Sequence, residues 1–288
     1  MKVNKKIIGF LISFILSLSI VSCSLVETEN TKVSIPEGTL KITYIDVGQA
    51  DSIFIQSKDK NLLIDAGTNE TGENVIKYLK EEKVSKIDYL IATHPHEDHI
   101  GGMADIIKSF DIGKFYSPKV SANTKTFERM IKELNNKELK INTLKVDKDP
   151  EIELPGVKID VYSPIKDEYE NLNNYSPIIK LTYGENKFLF TGDAEKEVEK
   201  AVIENNYDIK ADVLKVGHHG SSTSTSSNFL KKVDPSIAVI SVGKDNSYKH
   251  PSESTIERLK KSNIEILRTD ISGNITLTSD GKAIKLGD

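Results

Sequence analysis

Three histidines and an aspartate crowd into one stretch, Thr93-His94-Pro95-His96-Glu97-Asp98-His99, directly behind the apolar run 87–93. Imidazole and carboxylate are the donors that hold zinc, iron or manganese. In an extended or turned backbone His94 and His96 point to the same side. Asp98 and His99 follow in what reads as a tight loop stiffened by Pro95, and Gly101-Gly102 let the chain turn away. The chain has only six His in all, so this density reads as a ligand set rather than a polar strand end. Asp193 closes Thr191-Gly192-Asp193, and His218-His219 close Val216-Gly217. Alone, Asp193 reads as a helix N-cap and the His pair as a polar loop; beside the His94–His99 cluster both read as ligands. His218 comes first off its strand, which favours it as the ligand and leaves His219 to face substrate or support the site. His250, before Pro251-Ser252, is either a loop histidine making a cap-like bond or a substrate-facing group. Ser221, Ser222 and the run 223–227 read as a capped polar loop, or as hydroxyls offered to a phosphate.

Positioning these groups requires strand ends. Short β-branched and apolar runs bounded by turn residues predict strands at 40–46, 52–56, 61–65, 87–93, 157–162, 177–183, 187–191, 212–216, 237–242, 264–268, 274–278 and 283–286. Helical spacing predicts helices at 73–82, 103–110, 124–135, 194–205, 229–233 and 252–261, with Val198, Val202 and Ala201 inward on the fourth. One order occurs twice: strand, Asp65, helix, strand, His94; then strand, Asp193, helix, strand, His218. Two βαβ-containing halves with facing sheets and helices outside bring both sets of strand ends to one edge, where α/β folds keep their chemistry.

Lys2, Lys5 and Lys6 precede an apolar run over 7–20, the shape of an export signal. The run is short for a membrane span, which is the alternative reading. Ile20-Val21-Ser22-Cys23 resembles the lipobox of bacterial lipoproteins and contains the only Cys. Acylation of Cys23 uses a residue that is otherwise a liability in an exported chain, and anchors the product to a membrane. The expected layout is a signal peptide over 1–22, a lipidated Cys23 with a flexible tether over 23–39, and one domain over 40–288, held on the outer face of a bacterial cell membrane. The net charge of −4 argues against a dedicated duplex-DNA binder. No segment points to a protein partner.

Taken together, Asp46-Val-Gly-Gln-Ala-Asp51-Ser, Leu63-Ile-Asp65-Ala-Gly, Thr93 to Gly102, Asn173-Asn174-Tyr175-Ser176, Phe190-Thr-Gly-Asp193-Ala and Val213-Leu-Lys-Val-Gly-His218-His-Gly-Ser-Ser222 resemble the metallo-β-lactamase superfamily. Val242-Gly243, His250-Pro-Ser252 and Arg268-Thr-Asp270 match too. The pattern closely resembles the C-terminal hydrolase domain of ComEC-type competence proteins and their stand-alone relatives. The resemblance implies an α/β, four-layer αββα sandwich. It implies that His94 and His96 bind one divalent metal, that Asp98, His99 and His218 bind a second, that Asp193 bridges them, and that Asp65 orients ligands. Zinc is the expected metal, manganese the alternative. Many superfamily members have a further His between the cluster and the bridging Asp; none lies between His99 and His218 here, so Asn174 or water would complete the first metal's shell. The implied chemistry is hydrolysis by metal-bound hydroxide, with Asp98 or Asp193 orienting the nucleophile and His219 or His250 serving the leaving group or the anion. By family analogy the substrate is a phosphodiester, single-stranded DNA first. Rival readings are hydrolysis of another cell-surface ester, a lactone or a β-lactam, or a surface accessory protein whose metal site is not catalytic.

Overall fold

The computed structural model of the protein describes residues 38–287. The expected signal peptide, Cys23 and most of the expected tether lie outside the described residues. No helix among the described residues is long and apolar enough to cross a membrane.

The strands are β1 (Leu40–Tyr44), β2 (Ile53–Ser57), β3 (Lys60–Ile64), β4 (Lys86–Ile91), β5 (Asp111–Tyr116), β6 (Ile141–Asn142), β7 (Val157–Val161), β8 (Ile179–Tyr183), β9 (Asn186–Phe190), β10 (Val213–Lys215), β11 (Ile237–Ile240), β12 (Glu265–Arg268), β13 (Ile275–Ser279) and β14 (Ile284–Leu286). They form an eight-stranded sheet, β14-β13-β1-β2-β3-β4-β5-β6, and a six-stranded sheet, β12-β11-β10-β9-β8-β7. In the first sheet β3 to β6 run parallel; in the second, β9 to β12 do. The helices are α1 (Gly72–Glu81), α2 (Glu97–Ile100), α3 (Met103–Ser109), α4 (Lys125–Asn136), α5 (Lys196–Glu204), α6 (Ser227–Val233), α7 (Glu253–Lys261) and α8 (Thr269–Ser272).

Side-chain alternation sorts each central strand between two cores. On β3, Leu62 and Ile64 enter a core shared by both sheets, while Leu63 packs among Val75 and Leu79 of α1 and Ile106 of α3. On β9, Phe188 and Phe190 join the shared core, while Leu189 meets Val198 and Val202 of α5 and Leu259 of α7. Strands covered on both faces read as continuous apolar runs, which is why they were visible in the sequence. Three cores between and outside two sheets make the expected αββα sandwich. The two βαβ units are β3-α1-β4 and β9-α5-β10.

Three expectations need correction. β5 was not expected, because Asp111-Ile-Gly-Lys-Phe-Tyr116 has neither alternation nor an apolar run. Its strand state comes from parallel pairing with β4, and the approach is close: a Cβ on Gly113 would lie 2.4 Å from the Asp88 carbonyl oxygen. Asp98 and His99 lie on a helical turn, α2, rather than in a loop. On α5 Ala201 is only half-buried and Glu199 is buried instead; its carboxylate accepts from the backbone N–H groups of Thr225 and Ser226.

Candidate metal centre

Four parallel-strand ends supply the site. Asp65 follows β3, His94 follows β4, Asp193 follows β9, and His218-His219 follow β10. Backbone bonds fix the loops to one another. Ala66 N–H donates to the His99 carbonyl at 2.8 Å, Asp51 N–H to the Asp98 carbonyl at 3.1 Å, and His218 N–H to the Gly192 carbonyl at 3.1 Å. Gly101 and Gly102 serve by their lack of a side chain: a Cβ on Gly101 would lie 2.2 Å from Asn69 N, and one on Gly102 2.3 Å from the Ala66 carbonyl oxygen.

Asp193 Oδ2 is the common neighbour. It lies 3.3 Å from His99 Nε2, 3.6 Å from His218 Nε2, 3.8 Å from His219 Nε2 and 3.9 Å from His94 Nε2. Asp98 Oδ2 is 3.3 Å from His219 Nε2 and 3.9 Å from His99 Nε2. His96 Nδ1 is 3.0 Å from His94 Nε2. Asp65 accepts from Thr93 N–H at 2.8 Å and Thr93 Oγ1 at 2.7 Å, and meets His99 Nδ1 at 2.8 Å. A carboxylate accepts only, so Nδ1 of His99 carries a proton, and Nε2 is the nitrogen turned to the site.

Electrostatics follow from burial. Burial opposes the charged form of Asp193, yet the imidazoles of His99 and His219 outweigh it and hold the carboxyl well below the usual carboxylate range. Burial opposes the charge on His99 as well, but Asp193, Asp98 and Asp65 raise it well above an ordinary histidine. His94 is pushed well below, by burial and then by His99, and is a neutral imidazole.

Asp98, His99, Asp193 and His219 each offer one donor atom, and these atoms all lie within 4.8 Å of one another. Nε2 of His99, Nε2 of His219 and Oδ1 of Asp193 are buried with no hydrogen-bond partner among the described residues. Buried polar atoms are normally satisfied. Two imidazole nitrogens and a carboxylate oxygen without protein hydrogen-bond partners, beside the Asp98 carboxylate, fit a divalent cation. A model of the metallo-β-lactamase superfamily matches residues 45–244. The chain belongs to that superfamily.

Within the superfamily, the chain is similar to ComE operon protein 3 of Bacillus subtilis (strain 168), 32% identical over 253 residues. That alignment covers 82% of this chain and 32% of the relative. It bears out the likeness to ComEC-type competence proteins expected from the motifs. Exodeoxyribonuclease YycJ of Bacillus anthracis is 25% identical over 177 residues, 58% of this chain and 62% of that protein. Among solved structures, the metallo-β-lactamase fold protein YhfI from Bacillus subtilis superposes with a TM-score of 0.56 at 15% identity, covering 86% of this chain and 100% of that one.

Two site expectations shift. His218 was preferred over His219, but both adopt left-handed backbone, φ 49° and 51°. This double turn carries His219 inward, buried, with Nδ1 3.0 Å from the Ser241 carbonyl. His218 is partly exposed; its Nδ1 lies 3.2 Å from Thr223 Oγ1 and 3.4 Å from Glu195 Oε1, with Nε2 still turned to Asp193. The side chain of Asn174 is engaged elsewhere: Oδ1 accepts from Glu195 N–H and Nδ2 donates to Glu197. Its neighbour Asn173 faces the site, Nδ2 3.5 Å from His218 Nδ1. Ser176 Oγ, 3.3 Å from His94 Nδ1, also accepts from Asp193 N–H.

A cavity of about 540 Å³ opens over the cluster, lined by His96, Asp98, Asn173, His218, His250 and Tyr248, among others. His250 stacks on Tyr248, centroids 5.8 Å apart, and meets the His218 ring edge-on at 5.7 Å. Ser221, Thr223, Ser224, Thr225 and Ser226 bond within the protein, Ser226 as the cap of α6. Sequence reasoning missed Asn173 as a lining residue, and it missed Tyr248, Asp51 and Lys215; the motifs containing Asn173, Asp51 and Lys215 were the available signal.

Proposed function

We propose that this protein is a metal-dependent phosphodiesterase that cleaves a single-stranded polynucleotide. The observation that carries the reading is the set of buried, unpartnered donors of His99, His219 and Asp193 converging with Asp98 beneath an open cavity. His94 and His96 would help hold one metal and Asp98, His99 and His219 a second, with Asp193 and His218 as further donors. Zinc suits this nitrogen and oxygen set, with manganese the alternative. Bound divalent cations would supply Lewis acidity and acidify water at neutral pH. Asp65 orients His99. Asp98, with its side chain 31% exposed, faces the cavity and orients the incoming water. The His250 imidazole is lowered by burial and by His218, so it is neutral and can accept or donate a hydrogen bond at the scissile phosphate. Tyr248, 69% exposed, offers a ring face for a base.

Nucleic acid is favoured over other esters by the similarity to a protein named exodeoxyribonuclease and by a second cavity. The turn Leu172–Tyr175 divides the two: Asn173 lines the first, while Leu172 and Tyr175 line a groove of about 860 Å³ that also carries Lys119, Lys145, Lys166 and Tyr169. Asp167 and Glu168 line the groove as well and Lys166 is paired with Glu197, so Lys119 and Lys145 beside Tyr169 are the groups that suit a single strand. Since the chain spans 32% of its competence relative, a part in DNA uptake is not proposed. The Ile20-Val-Ser-Cys23 motif supports export and lipid anchoring outside the cell membrane.

The test is metal content of the purified protein, followed by cleavage of bis(p-nitrophenyl) phosphate and labelled single-stranded DNA with zinc or manganese, His96→Ala serving as control. Metal-dependent cleavage lost in the control supports the reading. Bound metal without cleavage of either substrate moves the assignment to another ester, a lactone or a β-lactam. Absence of both metal and activity overturns it in favour of a non-catalytic accessory protein.

A further inference from the structure

Lys215 is fully buried, 0% exposed, at the end of a central strand. Alternation on β10 sends Val213 into the core between the sheets and Leu214 outward, so Lys215 shares the inner face with Val213. A lysine there is costly unless its charge is paired. Its Nζ meets Asp51 Oδ2, also buried, at 2.8 Å, and donates to the Val216 carbonyl at 3.0 Å. Asp51 comes from the other sheet, just ahead of β2. Its second oxygen, Oδ1, lies 3.4 Å from His219 Nδ1 and has no hydrogen-bond partner among the described residues.

We propose that Lys215 and Asp51 are positioning residues for the metal centre: Lys215 fixes the Asp51 side chain, and Asp51 with the Ser241 carbonyl holds His219 in the tautomer whose Nε2 faces Asp98 and Asp193. The inference rests on the metal-dependent reading above. A carbonyl only accepts, so the 3.0 Å contact from Ser241 requires the proton on Nδ1. Asp51 places a negative charge on that same side of the ring. The arrangement mirrors Asp65 behind His99: His99 and His219 are each backed by a buried carboxylate. Asp51, Asp65 and His99 also bring donor atoms within 4.8 Å of one another. With the Lys215 ammonium already seated on Asp51, this layer needs no further cation and serves to orient ligands.

The experiment is a zinc competition titration against a chelator, on the full-length protein, Lys215→Met, Asp51→Asn and the double variant, with metal-free melting temperature recorded for each. The expected result is that each single variant weakens binding of one zinc equivalent about 10- to 100-fold, and that the double variant binds no more weakly than the worse single, because the two act as a unit. Zinc affinity unchanged while the metal-free melting temperature falls would make the pair a structural brace and overturn the proposal. Should the variants not fold, nitrogen NMR of His219 in the zinc-loaded unsubstituted protein decides: Nδ1 protonated and Nε2 on the metal is expected, and the reverse overturns it. If the unsubstituted protein binds no zinc or manganese, the reading beneath fails as well, which separates the two failures.

Discussion

His99 and His219 each have Nδ1 tied to the protein and Nε2 turned to the centre. For His99 the tie is Asp65, itself held by both donors of Thr93. Asp65→Asn replaces an acceptor with a group that also donates, so the His99 ring loses its fixed orientation. Metal affinity should fall about 10- to 100-fold, measured by chelator competition; unchanged affinity would remove Asp65 from the support of the site. Without metal, His99 holds its proton well above the ordinary histidine range: burial opposes that charge, but Asp193, Asp98 and Asp65 prevail. A metal must displace that proton, so binding releases protons and apparent affinity rises with pH. Calorimetric titrations in two buffers of different ionisation enthalpy should give different apparent enthalpies, and identical values would contradict this.

At the scale of elements, helix α2 decides the site, because it swings Asp98 and His99 under the strand ends. It packs closely: Gly101 lies against Thr68 and Asn69 with no room for a Cβ. Gly101 has ordinary right-handed backbone, φ −55°, so its requirement is clearance and not conformational freedom. Gly101→Ala should cost about 1–3 kcal/mol by overpacking, read as a lowered melting temperature, and should weaken metal binding because Asp98 and His99 move with the turn. A variant of unchanged stability would mean that the loop over Thr68 and Asn69 yields freely. Thr68 and Asn69 directly follow Asp65-Ala-Gly67, which is why one substitution is expected to reach both ligand groups.

The whole molecule gathers charges from both sheets. Asp51, Asp65 and Asp193 are each 1% exposed, and so many buried carboxylates near one point need cations. Lys215 supplies one and the metal site the rest. Chelation should therefore lower the melting temperature, since metal binds the folded state and not the unfolded one; a metal-free protein that melts at the same temperature would count against a resident metal. The groove beside the site makes a separate prediction. Lys119→Glu with Lys145→Glu should reduce cleavage of single-stranded DNA and weaken its salt dependence, while leaving turnover of bis(p-nitrophenyl) phosphate unchanged. Equal loss on both substrates would assign the effect to folding and not to the strand path.

The sequence by itself determined the layers and the general location of the chemistry. The His94–His99 cluster, Asp193, and the twofold order of strand, Asp, helix, strand, His are local patterns, and local periodicity is what a doubly covered parallel strand displays. β5 escaped because its strand state is imposed by β4 and not by its own residues. At the site, only tertiary structure shows how His218 and His219 differ: two left-handed residues bury His219 and leave His218 partly exposed, with both Nε2 atoms near Asp193. It likewise decided that Asn173 and not Asn174 faces the cavity, because the start of α5 takes up the Asn174 amide. The pairing of Lys215 with Asp51 joins two sheets across most of the chain. Its partners are far apart in sequence, and no pattern along the chain carries a contact that exists only once both sheets have closed on a common core.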